Sequence, residues 1–247
     1  MNALILCAGM GSRFNISNDL GPKCLIKFNH RKLIDIQIES LKKNNINNIA
    51  AVSGYKSQLV KNKKISKIYF NKNWENTNMI YSMFCASEWI EKSDCLISYG
   101  DIFYNQFTIK NLINSKDNIN ILYHTDFMKM WMGRYENPYE DLESFKFNSS
   151  GYLLDIGQSV SEKDNIMGQF MGLIYIKKDG WTTFKNLLNP IDIKTIDFTS
   201  ALQFLVKKDV KVKCIATNDV WGEIDTVDDL IKYEKNPSQF SYFSNKY

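Results

Sequence analysis

The hydrophobic positions of the chain fall into two rhythms. Residues 3–7 (ALILC) form a short run with no polar break, as expected of a strand covered on both faces. Leu33, Ile34, Ile36, Ile38 and Leu41 then thread a polar stretch at helical spacing, which predicts a helix over 32–43. Residues 46–52 (INNIAAV) and 65–70 predict a second and a third strand, the former closed by Ser53-Gly54-Tyr55. Ile80, Phe84 and Trp89 mark one side of a helix predicted over 78–88, and 94–99 (DCLISY) reads as a fourth buried strand ending at Gly100-Asp101. Strand and helix alternate over the first hundred residues, which predicts a parallel sheet with right-handed crossovers.

After a fifth apolar strand at 119–123 the rhythm changes. Residues 143–147, 152–156 and 170–176 read as β-segments joined by turns such as Asn148-Ser149-Ser150-Gly151. Helical patterns return at 181–188 and 198–207, with strands at 210–215 and near Trp221. A short helix closes 225–233, with Thr226 placed to cap it. The expected fold class is α/β: a doubly wound, Rossmann-like, mixed but mostly parallel sheet. A β-rich insertion is expected over the carboxyl ends of its strands, where open α/β sheets bind ligands.

No linker, repeat or low-complexity tract divides the 247 residues, so one domain is expected over 1–247. Its halves are 1–125 and 126–235, with a tail at 236–247. Hydrophobic residues make up 44% of the chain, enough for a packed core. The formal charge is only +4 and the lysines are scattered, which argues against a nucleic-acid partner. Cys7, Cys24, Cys85, Cys95 and Cys214 are odd in number and form no C-x-x-C pair, as expected of free thiols in a reducing compartment. No apolar run reaches the length of a membrane span, and no leader pattern opens the chain. A cytoplasmic location without membrane attachment is the expectation.

The stretch Leu6 to Leu25, LCAGMGSRFNISNDLGPKCL, is where candidate chemistry first enters. Glycines after a strand let backbone N–H groups approach phosphate oxygens, and Ser12 and Arg13 add donors. G-x-G spacing alone also suits an ordinary tight turn. The Walker pattern fails, because Gly11-Ser12-Arg13 lacks the closing Gly-Lys-Ser/Thr. The dinucleotide fingerprint fails too: position 14 is Phe and NISNDLGP is turn-like, so no helix begins there. What remains is a loop anchored by Gly9, Gly11 and Arg13 and closed by Lys23, with room to wrap a triphosphate.

LILCAGMGSRF followed by PK resembles the opening motif of the nucleotidyltransferases that activate sugar phosphates and small phosphorylated alcohols. TNMIYS (residues 77–82) resembles the base-holding segment of the phosphocholine cytidylyltransferase branch. Gly100-Asp101 and WGEID (221–225) are similar to the two metal-binding elements of that family. GRYENPYEDLES, GQFMGLIYI and IDFTSAL resemble a narrower bacterial group that makes CDP derivatives of aminoethylphosphonate, phosphocholine or phosphorylated amino-acid amides. The resemblance spans about residues 1–234.

It implies a nucleotidyltransferase fold and transfer of CMP from CTP to a small phosphorylated or phosphonate acceptor, with release of pyrophosphate. Lys23 and Arg13 would be the catalytic cations. Ala8, Gly9, Gly11, Ser12, Arg13, Lys23, Ser53, Gly54, Asn78, Ser82 and Gly100 would hold the nucleotide, with a helix cap as the alternative for Asn78. Mg²⁺ would sit on Asp101 and Asp225, with Glu223 as a direct ligand or just behind one. Trp131, Arg134, Asp141, Glu143 and Gln169, in the β-rich insertion, would face the acceptor, where each charge also suits a surface. Relatives often carry lysine where this chain has Gln158. The rival readings are a sugar-1-phosphate nucleotidyltransferase using another NTP and a non-catalytic nucleotide-binding domain. The acceptor's identity stays open, as does a homodimer.

Overall fold

The computed structural model describes residues 1–14, 21–189 and 191–235. The turn expected over NISNDLGP lies mostly, and the tail wholly, outside the described residues. The chain opens with β1 (Asn2–Cys7), followed by a hairpin of β2 (Lys27–Phe28) and β3 (Arg31–Lys32), then α1 (Leu33–Lys43), β4 (Asn48–Ser53) and β5 (Lys67–Phe70). Next come α2 (Met79–Cys85), α3 (Ser87–Lys92), β6 (Cys95–Tyr99), β7 (Ile102–Tyr104), α4 (Lys110–Ile113), β8 (Ile119–His124) and α5 (Phe127–Arg134). The remainder is β9 (Glu143–Phe147), β10 (Leu153–Ser159), β11 (Gln169–Ile176), α6 (Lys178–Leu188), α7 (Phe198–Lys207), β12 (Lys213–Thr217), β13 (Trp221–Glu223) and α8 (Val227–Glu234).

Seven strands form the main sheet in the order β12-β8-β11-β6-β1-β4-β5. All neighbours are parallel except β11, which runs antiparallel to both β6 and β8. The mixed, mostly parallel α/β sheet is therefore as expected. β1 explains its own unbroken apolar run: Leu4 and Leu6 pack into one core layer, while Ala3, Ile5 and Cys7 pack into the other. The first layer is roofed by α2, α3, α6 and α7, with Trp181 and Phe184 fully buried; α1, α4 and α5 cover the second.

Three expectations need correction. The 170–176 segment belongs to the centre of the main sheet and not to the insertion; its apolar run is that of a strand covered on both faces. The β-rich addition consists of the antiparallel pair β9 and β10. Trp131 and Arg134 lie on helix α5, where Phe127, Trp131 and Arg134 are buried at i, i+4 and i+7. The methionines between them, with Met132 65% exposed, blur that period in the sequence. The helix over 78–88 is two helices that meet at Ala86.

β11 shifts register between Phe170 and Ile174. Inside that shift Gly172 has φ +68, and a Cβ there would stand 2.6 Å from the Tyr99 ring. Gly172→Ala is expected to cost at least about 1–2 kcal/mol from the left-handed backbone alone, measured as a lower urea midpoint with an unchanged slope.

Candidate active site

The carboxyl end of β1 meets the exit of β4 through the Tyr55 N–H, which donates to Ala8 O at 2.9 Å. Gly54 lies in that seam, where a Cβ would stand 2.7 Å from Ala8 O and 2.6 Å from the Trp74 Cβ. Beyond Gly9 the loop turns at Gly11, φ +68, and the Lys23 stem lies against it: a Cβ on Gly11 would be 2.5 Å from Lys23 Cγ. Glycine is required twice over, for the backbone conformation and for the lysine. Phe14 anchors the loop among Phe28, Phe103, Ile224 and Tyr233, while Ser12 is exposed.

Two remote carboxylates converge because of a short antiparallel pairing. β13 pairs with β7, setting Glu223 opposite Ile102, and the Ile224 N–H donates to Asp101 O at 3.0 Å. Gly100 lets this turn press on β1, since a Cβ there would be 2.5 Å from Leu6 O. One oxygen each of Asp101, Glu223 and Asp225 lies within 4.8 Å of the others. Lys23 Nζ stands 3.2 Å from Asp101 Oδ2 and donates to Asp225 Oδ1. Arg13 Nη2 reaches Asp225 Oδ1 at 3.2 Å.

The electrostatics follow from this crowding. Burial disfavours the Lys23 ammonium, but Asp101 and then Asp225 overcompensate and lift its pKa above the ordinary lysine value. Burial, with Asp225 and Asp101 nearby, pushes the Glu223 carboxyl up to about 8, against the opposing pull of Arg134 and Lys23. Three hard oxygen donors this close together suit a divalent cation of the magnesium and calcium class, and the Lys23 ammonium already marks the position for positive charge. Neither histidine lines the cavities around this cluster. His30 forms the β2–β3 turn at φ 62, and buried His124 accepts from the Asp126 N–H.

Three cavities share Met79 as a common wall. One of about 200 Å³ is bounded by Gly9, Gly11, Lys23, Gly100 and Asp101. Another, about 160 Å³, is bounded by Ala8, Gly9, Trp74, Asn78 and Ser82. Asn78 Nδ2 donates to Thr195 O at 2.6 Å and Ser82 Oγ accepts from Asn71 Nδ2 at 3.0 Å, while Asn78 makes no side-chain cap. Ser53 is buried with its hydroxyl donating to Tyr69 O, and it lines none of the three.

The largest of the three, about 270 Å³, runs from Glu223 and Asp225 to Trp131, Asp141, Glu143 and Gln169. Asp141 Oδ2 accepts from Trp131 Nε1 at 2.9 Å. The Gln169 side chain pairs with the backbone of Glu143 in both directions and fastens β9 to β11. Tyr99, Phe170, Asp197 and Thr199 also line this cavity and were not foreseen. Asp197 caps α7, accepting from the Ser200 N–H at 2.7 Å; IDFTSAL carries that capping signal, but its proximity to Glu143 is a tertiary fact. Burial raises the Glu143 carboxyl, the Thr199 hydroxyl opposes this, and Asp197 and Asp141 add to the rise.

Arg134 stands apart from the other residues expected on the acceptor. Its side chain is 2% exposed and lines none of these cavities. Nε and Nη2 donate to the two oxygens of Asp229 at 2.9 and 3.4 Å. Nη1 and Nη2 lie 3.8 Å from Glu223 and Asp225. Asp229 in turn accepts from the N–H groups of Asp225 and Thr226 and completes the capping box of α8. A helix start, a buried arginine and the acidic cluster thus form one network.

A family model described as the MobA-like NTP transferase domain matches residues 3–130. The CTP:phosphoglutamine cytidylyltransferase of Campylobacter jejuni is 35% identical, over 95% of this chain and all of that protein. Among solved structures, the inositol-1-phosphate CTP transferase of T. maritima superposes with TM-score 0.78 at 20% identity, covering 99% of this chain and 97% of that one. The CTP:phosphocholine cytidylyltransferase of Streptococcus pneumoniae gives 0.68 at 19%, covering 95% and 97%. These two structural likenesses carry the fold.

Arg134→Met leaves Asp229 buried without its counter-charge and is expected to cost about 3–5 kcal/mol, with part of the loss recovered in Arg134→Met/Asp229→Leu. Burial raises the Asp229 carboxyl, but Arg134 and Thr226 overcome it and hold the pKa below the ordinary value. Its contribution to stability is then present above about pH 4 and lost as pH falls through the folded-state value. Denaturant midpoints measured from pH 6 downward should fall less steeply for Asp229→Asn than for the wild type.

Proposed function

The chain belongs to the MobA-like NTP transferase domain family, and from that premise we propose that it transfers CMP from CTP to a small phosphorylated or phosphonate acceptor, releasing pyrophosphate. The observation that carries this reading is the convergence of Lys23, Arg13 and three carboxylates between the Gly9–Gly11 cavity and the larger aromatic and acidic one. The relationship to the Campylobacter enzyme supports CTP as the donor.

The acceptor oxygen attacks the α-phosphorus in line and pyrophosphate leaves. A phosphate monoester is largely dianionic near pH 7, its second pKa being about 6, so the attacking oxygen needs no general base. The work is to bring two polyanions together. Two unit charges 4 Å apart repel by about 4 kcal/mol even at an effective dielectric of 20. Lys23 and Arg13 would offset such repulsion on the triphosphate, and Asp101, Asp225 and Glu223 would hold Mg²⁺. Bound there, Mg²⁺ would neutralise charge on phosphate oxygens. Catalysis is then positioning plus charge stabilisation.

The nucleotide is expected along Ala8–Gly11 and Ser12, with the base and ribose toward Asn78, Ser82 and the 53–54 backbone. The acceptor occupies the cavity of about 270 Å³. Among the described residues lining it, Arg13 is the one basic side chain, against Asp141, Glu143 and Asp197 at its far end. That balance, with Tyr99, Phe170 and Trp131 beside it, favours an acceptor bearing an ammonium group. Phosphocholine, 2-aminoethylphosphonate and phosphoglutamine all carry one. Gln158 is exposed on β10 and lines none of the three site cavities. The product would serve cytoplasmic assembly of a decorated surface polysaccharide.

Pyrophosphate release measured across CTP, UTP, GTP and dTTP, each with Mg²⁺ and these acceptors, is expected with CTP alone and only when an acceptor is present; preference for another nucleotide would overturn the reading. Lys23→Ala should lose turnover by about 10²–10³-fold. Lys23→Arg should recover little, because a planar fork replaces a point charge. Near-wild-type turnover in the alanine variant would remove Lys23 from the mechanism.

A further inference from the structure

Resting on the nucleotidyltransferase reading, we propose that Lys23 is the resident occupant of the cation site. Its ammonium holds the place between Asp101 and Asp225 until a polyphosphate offers it another anion, so that cation and nucleotide bind as a coupled pair.

The geometry sets up a competition. Lys23 Nζ engages the same two carboxylates, Asp101 and Asp225, that with Glu223 bring oxygens within 4.8 Å of one another. An ammonium and a divalent ion drawn to the same two carboxylates repel each other at close range. Lys23 also has little room to retreat: its side chain is 12% exposed and its stem packs on Gly11. Displaced without a new partner, it would be a largely buried charge left unpaired, which is strongly unfavourable. The cavity beside it, bounded by Gly9, Gly11 and Asp101, is where phosphate oxygens would supply that partner.

Arg134 shows why the two cations differ. Its fork is fixed on Asp229 at 2.9 Å and stays 3.8 Å from Glu223 and Asp225. It is a permanent counter-charge, too distant to spend their oxygens. Lys23 makes no such fixed attachment: among the described residues its ion pairs are with Asp101 and Asp225 of the acidic cluster. Arg13, 63% exposed, meets Asp225 at 3.2 Å from the solvent side.

Coupling of this kind is reciprocal: whatever nucleotide does for the cation, the cation does for nucleotide. Mn²⁺ titrated into the nucleotide-free protein and followed by its electron paramagnetic resonance signal tests it directly. Lys23→Met, which keeps the stem on Gly11 and removes the charge, is expected to bind Mn²⁺ about tenfold tighter than the wild type. In the wild type, a non-hydrolysable CTP analogue should tighten Mn²⁺ by about tenfold or more, and in Lys23→Met by much less. Equal Mn²⁺ affinity of the two proteins without nucleotide would overturn the proposal. So would a wild-type affinity that no nucleotide changes, a measurement that needs no variant to fold. Tightening by a UTP analogue and not by CTP would sink the CTP assignment and leave the role of Lys23 standing.

Discussion

The structure is organised around a repulsion. Asp101, Glu223 and Asp225 bring carboxylate oxygens within 4.8 Å of one another. Burial and their mutual repulsion raise the Glu223 carboxyl, and the repulsion calls for positive charge beside them. Three cations supply that charge, each differently mounted. Arg134 is buried and locked to Asp229, Lys23 reaches in from a loop turn, and Arg13 extends from solvent. The backbone supplies the rest, because the β7–β13 pairing and the bond from Ile224 N–H to Asp101 O hold the acidic residues near one another whatever their charge.

The sheet converts this cluster into a site. β1 and β6 are parallel neighbours, so the loop after Cys7 and the turn after Tyr99 emerge at the same edge. β11 enters antiparallel between β6 and β8, and its first residues lie at that edge too. Gln169 fastens β9 there, which brings Glu143 to the large cavity, and the α7 N-terminus adds Asp197. The large cavity is thus assembled from chain segments that share no local sequence relation. Gly172 matters for the same reason: its left-handed backbone gives the Tyr99 ring its place between the two larger cavities.

Function and stability meet at α8. The capping box of Thr226 and Asp229 is an ordinary helix-start device. Here its acid also carries the guanidinium that faces Glu223 and Asp225. A change at Asp229 therefore acts on the helix, on a buried ion pair and on the acidic centre together, and the effects are not expected to add independently.

Much of the framework was legible in the sequence because its causes are local. Unbroken apolar runs identified the strands of a sheet covered on both faces, Thr226 marked the last helix, and the glycine spacing marked the loop that turns at Gly11 against Lys23. Family resemblance singled out Asp101, Glu223 and Asp225, and the structure brings their oxygens together. Other features required tertiary contacts. The run at 170–176 is equally apolar in an insertion or at the centre of a sheet, so only pairing with β6 and β8 located it. Arg134 is as suited to an acceptor as to a carboxylate until Asp229, 95 residues away, claims it. Asp197 carries a helix cap in its sequence, and only the approach of α7 to β9 makes it part of a cavity. Hydrogen-bonding period and backbone freedom are properties of neighbours in the chain; charge balance is a property of neighbours in space.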